Sequence, residues 1–229
     1  MSLRSRTLPV QELIYSDQTV MKDRRCVIIG GAEIKEYDRI RSYLKEDDFV
    51  IYCDSGLRHA EGLGRKPSLI VGDFDSYENP HADTETIVLP VVKDDTDTVY
   101  AAKEGMRRGF RDFLMLGVFG GRMDHTLANV YQMFDLESKG CTVLAADDYS
   151  EFTVISEGGA ARVSDRYPFF SLLNMTGTAR GISIKGAKYT LDGAEITSGY
   201  QYAVSNEVLP GQTAEITIKE GRLLLIMDL

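Results

Sequence analysis

The chain has 229 residues, 43% hydrophobic and 27% charged, with a formal net charge of -9. That is the composition of a globular protein with enough chain for a substantial core. The acidic balance argues against nucleic-acid binding, and a small polyanionic substrate would need a cation to accompany it.

No apolar run approaches membrane-spanning length, and the N-terminal MSLRSRTLPVQEL lacks an apolar signal core. Residues 1–25 read as an N-terminal extension. Cys26, Cys53 and Cys141 form no CxxC pair, and each lies at or in an apolar run. They are expected to be reduced core thiols in a cytoplasmic protein.

In chain order, the apolar runs are Val27-Ile28-Ile29, Phe49-Val50-Ile51-Tyr52, Leu69-Ile70-Val71, Ile87-Val88-Leu89, Phe113-Leu114-Met115-Leu116 and Val143-Leu144-Ala145. Runs this apolar predict strands covered on both faces. Between them, Val99, Ala102 and Met106 follow helical spacing, as do Leu127, Val130, Tyr131 and Phe134, with Gly140 as a stop. Strand–helix alternation predicts an α/β domain with a parallel sheet over residues 1–147.

Beyond the Asp147-Asp148 junction the segments Glu151–Ser156, Phe169–Asn174, Ile182–Lys185 and Glu215–Lys219 are short and β-prone, with glycine turns between them. Residues 148–229 therefore predict an antiparallel β domain, a sandwich or half-barrel.

Ligands of open parallel sheets bind beyond the carboxyl ends of the strands. At those ends lie CDSG, with Asp54; VGDFDS, with Asp73 and Asp75; KDDTD, with Asp94, Asp95 and Asp97; and GVFGGRMDH, with Asp124. If the strand persists through VGDFDS, Asp73 and Asp75 point the same way. Carboxylates brought this close need a proton or a cation between them. Carboxylate oxygens suit Mg²⁺, and neither HExxH nor Cys/His spacing suggests zinc. The substrate expected is a phosphate ester or anhydride.

Gly120 and Gly121 precede a helix start, where free N–H groups favour an anion. Arg122 adds a planar fork suited to phosphate. His125 and Asn129 lie one turn apart beside the apolar stripe, and Asp124 reads either as a ligand or as an N-cap. His81 is expected in a solvated loop, while His59 has no assigned role. The P-loop, dinucleotide and nucleophile-elbow motifs are absent from the sequence.

The segments KPSLIVGDFDS, KDDTDT and LGVFGGRMDHTLANV, in that order, resemble thiamine pyrophosphokinases, as does the C-terminal VSNEVLPGQTAEITIKEGRLLLI. The resemblance implies transfer of the diphosphate of ATP to the hydroxyl of thiamine, giving thiamine diphosphate and AMP. It implies that Asp73, Asp75 and Asp97 hold Mg²⁺, with Asp54 close to the reacting centre. Ser76, Lys93 and Thr96 would line the phosphate path, and Arg122, Asp124, His125 and Asn129 would bind ATP. Tyr189, Ser205 and Asn206 would meet thiamine across a homodimer interface, giving shared active sites. One stretch departs from the family's ADGGAN pattern: Ser55, Leu57 and Arg58 replace Gly, Ala and Asn.

Three other readings remain open at this level. A hydroxymethylpterin diphosphokinase would share the acidic chemistry. A metal-dependent phosphohydrolase would use water as nucleophile. A nucleotide sensor would do no chemistry, and the clustered acids argue against it.

Overall fold

The computed structural model describes residues 24–74, 83–90 and 94–229. Six parallel strands form its first part: β1 (Arg25–Ile29), β2 (Phe49–Cys53), β3 (Leu69–Gly72), β4 (Thr86–Val88), β5 (Asp112–Leu116) and β6 (Thr142–Ala146). They lie in the order β4-β3-β2-β1-β5-β6, so the chain reverses direction of growth between β1 and β5. A crevice opens at such a switch point.

Alternation along β1 assigns its side chains to two cores. Cys26 and Ile28 pack with the helices α3 (Asp97–Arg107) and α4 (Met123–Ser138). Val27 and Ile29 pack on the other face with Ile34, Ile40, Leu57 and Leu63. Ile40 and Leu63 come from two short helices, α1 (Tyr37–Ser42) and α2 (Ala60–Leu63), which the sequence pattern did not announce. Their shortness explains this, since neither completes two turns of apolar periodicity. Gly105 in α3 lets that helix seat closely, because a Cβ there would lie 2.8 Å from the Phe113 ring and 3.1 Å from Cys26 Sγ.

Two expectations need correction. The run around Ile87 is the sheet edge rather than a doubly covered strand: β4 has only three residues, and Val88 is exposed. In α4 the buried face is rotated from the expected stripe. Val130, Met133, Phe134 and Leu136 are buried, whereas Leu127 is 45% and Tyr131 52% exposed. Asn129 takes a place on the inner face because its amide finds partners there.

The remaining strands are β7 (Ser150–Ser156), β8 (Ala160–Ser164), β9 (Phe169–Leu173), β10 (Thr178–Lys185), β11 (Leu191–Thr197), β12 (Thr213–Thr217) and β13 (Arg222–Asp228). Sheet B is fully antiparallel, in the order β11-β10-β12-β8. However, β7, β13 and β9 continue the first sheet, to give nine strands in the order β4-β3-β2-β1-β5-β6-β7-β13-β9. The turn at Asp147 is local: its Oδ1 accepts from the Tyr149 and Ser150 amides at 2.8 Å, and β7 then pairs back onto β6.

The two halves therefore share hydrogen bonds across residue 147. Along β13, Leu224 faces the helix-side core, while Leu223, Leu225 and Met227 face sheet B. Burying a leucine stabilises by roughly 1.5–3 kcal/mol, so this one strand ties both cores together.

Candidate active site

A cavity of about 670 Å³ opens at the carboxyl ends of β1, β2, β3 and β5, beside the start of α3. Asp54, Asp73, Asp94, Asp95 and Asp97 all line it, together with Thr96, Arg122, His125 and Asn129. The strand-end rule thus gathers these residues from four separate segments. Asp75, Ser76, Lys93 and His81 lie outside the described residues.

The strand does not continue through Asp73 and Phe74. β3 ends at Gly72, and Phe74 adopts a left-handed φ of 58° while packing against the Val27 face of the core. Asp73 therefore lies beyond the strand. The turned backbone and the apolar packing of Phe74 occur together at this point.

Asp54 opens a 3₁₀ turn (Asp54–His59) directly after β2, is buried, and has a φ of 38°. Such a backbone costs on the order of 1–3 kcal/mol in a non-glycine residue. Tight packing holds it. A Cβ on Gly56 would lie 2.3 Å from the Ile29 carbonyl oxygen, and one on Gly72 would lie 3.0 Å from Asp54 Cα. These two glycines let the turn sit directly against the ends of β1 and β3.

Thr96 caps α3, its Oγ1 accepting from the Val99 amide at 3.4 Å, so Asp97 stands in the first helical turn. Asp95 pairs with Lys103 at 2.6 Å. Thr98 Oγ1 donates to Asn129 Oδ1 at 2.7 Å, and Asn129 Nδ2 donates to the Val118 carbonyl at 2.7 Å. Asn129 therefore braces α3, α4 and the loop after β5 against one another.

At the start of α4 the N-cap position is Arg122, not Asp124. Asp124 instead holds Arg122 through two hydrogen bonds, 2.6 and 3.2 Å, and accepts from the His125 amide at 3.0 Å. The guanidinium brings the Asp124 carboxyl down to about 2. Asp124 does not itself line the cavity; its role there is to hold Arg122.

The Gly30–Glu33 loop after β1 also lines the cavity, and the sequence reading passed over it. The signal was present, since Gly30-Gly31 ends an apolar run as the other acidic segments do. A Cβ on Gly30 would lie 2.6 Å from the Gly117 carbonyl oxygen, so the two loops need glycine to approach. His59 ties this loop down. Its Nε2 lies 2.9 Å from the Ala32 carbonyl and its Nδ1 2.7 Å from the Tyr37 hydroxyl. A carbonyl only accepts, so Nε2 carries the hydrogen and Nδ1 accepts from Tyr37. Burial lowers the His59 pKa from its ordinary value. Cys53, also in the wall, is held well above its ordinary value by burial and offers no thiolate nucleophile.

In the β half, Asn206 is buried and its amide is used within the chain. Oδ1 accepts from the Tyr189 and Glu207 amides at 3.0 and 2.9 Å, and Nδ2 donates to the Tyr189 carbonyl at 2.7 Å. This clamp presents the Tyr189 ring to solvent, 59% exposed. Ser205 is exposed beside it, with a φ of 56° and its amide donating to Ser171 Oγ at 3.0 Å. Tyr189, Ser205 and Asn206 thus adjoin one another but do not line the acidic cavity of the same chain.

Comparison with known proteins agrees with this division. The model of the thiamin pyrophosphokinase catalytic domain matches residues 40–145, and that of the thiamin pyrophosphokinase vitamin B1 binding domain matches residues 160–223. No curated protein matches the chain. Among solved structures, thiamine pyrophosphokinase from Bacillus subtilis superposes with a TM-score of 0.79 at 20% identity, over 90% of this chain and 99% of its own. Thiamin pyrophosphokinase from Geobacillus thermodenitrificans gives 0.76 at 25% identity, over 90% and 97%. That of Candida albicans gives 0.73 at 13% identity, over 93% and 91%. The structural likenesses establish the fold, and the two successive family models, which span most of the sequence in the order in which its halves are built, establish that the chain belongs to the thiamin pyrophosphokinase family.

Proposed function

We propose that ATP, entering as its Mg²⁺ complex, is the diphosphate donor of this thiamine diphosphokinase, and that AMP is the leaving group. The observation that carries this reading is the convergence of Asp54, Asp73, Asp94, Asp95 and Asp97 on one cavity beside the glycine loop before α4. Mg²⁺ is bound by carboxylate oxygens, substrate phosphates and retained waters. Asp73 and Asp97 fit that donor set, with Asp75 as the third expected ligand. The ion would supply charge neutralisation on the phosphate oxygens.

The thiamine hydroxyl oxygen attacks the β-phosphorus as the bond from that phosphorus to the α,β-bridging oxygen breaks. The hydroxyl proton passes to a carboxylate, for which Asp54 and Asp97 are the candidates. Arg122 offsets the charge gathering on the departing AMP. Ser76, Lys93 and Thr96 line the phosphate path in this reading, and His125 and Asn129 meet the nucleotide. The exposed Tyr189 ring, with Ser205, faces thiamine, whose cationic thiazolium suits an aromatic face. Because this group stands away from the cavity of its own chain, we assign the complete site to a homodimer.

The buried thiols fit a reducing cytoplasm. Among the described residues no helix is long and apolar enough to cross a membrane. The vitamin B1 binding match argues against a pterin acceptor, and a phosphohydrolase would have no use for that half.

The test is direct. Purified protein with ATP, thiamine and Mg²⁺ should form thiamine diphosphate and AMP in equal amounts. Formation of ADP, or of free phosphate without thiamine, would overturn the reading.

A further inference from the structure

The cavity holds two arginines among its described residues, Arg58 and Arg122, against Glu33 and five aspartates. They are not equivalent. Arg122 is ion-paired: Asp124 takes its Nε and Nη2 edge at 3.2 and 2.6 Å, so a carboxylate already offsets its charge. Arg58 makes no ion pair among the described residues. Its Nε donates to the Ser55 carbonyl at 2.8 Å, a bond within the 3₁₀ turn after β2. Its two terminal nitrogens make no hydrogen bond among the described residues, and the side chain is exposed to the cavity's solvent.

We propose that Arg58 is a phosphate-binding residue of this site, contacting the polyphosphate chain of the nucleotide. The inference rests on the reading of ATP as donor. The chemistry follows from the inventory. A nucleoside triphosphate carries more negative charge than one Mg²⁺ neutralises. A cavity walled by carboxylates repels the remainder. A guanidinium with one edge pinned and the other open is the group that binds a phosphate bidentately, and the pinning reduces the side-chain entropy lost on binding. The scaffold beneath Arg58 is rigid. Gly56 is pressed against the Ile29 and Gly30 carbonyls, and His59, the next residue, is bonded to Ala32 and Tyr37. Arg58 thus stands on the β2 end of the cavity, and Arg122 on the β5 end, with the β1 loop between them.

The experiment compares wild type, Arg58→Ala and Arg58→Lys in the full-length enzyme. Calorimetry measures binding of Mg²⁺ with α,β-methylene-ATP and, separately, of Mg²⁺ with inorganic tripolyphosphate. Steady-state kinetics give KM for ATP and for thiamine. Losing a charged hydrogen bond should weaken both calorimetric ligands by roughly 10- to 100-fold in Arg58→Ala, with thiamine KM unchanged. Arg58→Lys should fall between, because it keeps the charge and loses the fork. If wild type binds the ATP analogue and Arg58→Ala binds it equally well, the proposal is overturned while the donor assignment stands. If wild type itself binds neither ligand, the donor assignment fails and takes this proposal with it. If both variants lose thermal stability and weaken ATP and thiamine alike, Arg58 only pins the turn through Ser55, and the proposal again fails.

Discussion

At the scale of single residues, the site depends on groups whose partners come from distant segments. His59 shows how such a group couples to solution conditions. Burial depresses its pKa, so the folded state prefers the neutral ring while the unfolded chain titrates at about 6.5. As pH falls through that value, protons bind the unfolded state first and stability declines. The decline levels off once pH passes below the folded pKa. The contribution is therefore fully present at neutral and alkaline pH and lost on the acid side. His59→Gln keeps a donor for Ala32 and an acceptor for Tyr37 without a charge change. Urea midpoints at pH 8 and pH 5.5 should show a smaller acid-side loss in this variant than in wild type. An equal loss in both would mean that His59 does not contribute to it.

At the scale of elements, the close approach of the 3₁₀ turn to β1 sets where Asp54 stands. Gly56 has no open space: its missing Cβ would meet the Ile29 and Gly30 carbonyl oxygens at 2.3 and 3.0 Å. Gly64, which ends α2, has a φ of 62° and nothing within 4 Å. Alanine at the two positions should therefore act differently. At Gly64 it should cost roughly 1–2 kcal/mol through the left-handed backbone alone, leaving turnover intact. At Gly56 the turn must move, at about 1–3 kcal/mol from overpacking, and Asp54 moves with it. Turnover of Gly56→Ala should fall by at least about tenfold even below its unfolding temperature if Asp54 takes the proposed part in proton transfer, since misplacing a reacting group is costly. Melting curves and kcat for the pair test this, and full activity in Gly56→Ala would show that the turn's position is immaterial.

At the scale of the whole molecule, β7, β13 and β9 continue the catalytic sheet while their other face packs on sheet B. The two halves are thus expected to unfold together rather than as separate domains. Yet Tyr189 and Ser205 do not line the acidic cavity of their own chain, which is the basis for the two-chain site proposed above. In a two-fold dimer, one heterodimer site collects both defects of two inactive variants and the other collects neither. Asp73→Asn and Tyr189→Ala, each folded and inactive alone, should recover roughly a quarter of wild-type activity when their chains re-pair at random. Co-expression with two affinity tags isolates the heterodimer and avoids slow exchange. An inactive heterodimer of verified composition would show each site to be built within one chain.

Much of this protein was written in its residue order. Runs apolar enough for doubly covered strands, separated by helical spacing, imply a parallel sheet, and its carboxyl ends then bring Asp54, Asp73, Asp94, Asp95 and Asp97 to one rim without any knowledge of contacts. The family resemblance rested on the same segments. What needed the tertiary structure were facts that depend on neighbours. β3 stops at Gly72 and Phe74 packs into the core with a left-handed backbone, so Asp73 stands beyond the strand. Asn129 is buried because Thr98 and Val118 satisfy its amide, which rotates α4 and leaves Leu127 and Tyr131 in solvent. Nothing in the sequences of β7 and β13 names their neighbours, and only the pairing of β7 with β6, and of β13 with β7, made them part of the catalytic sheet. Periodicity records which side chains avoid water, whereas strand pairing and the satisfaction of buried polar groups are settled between segments far apart in the chain.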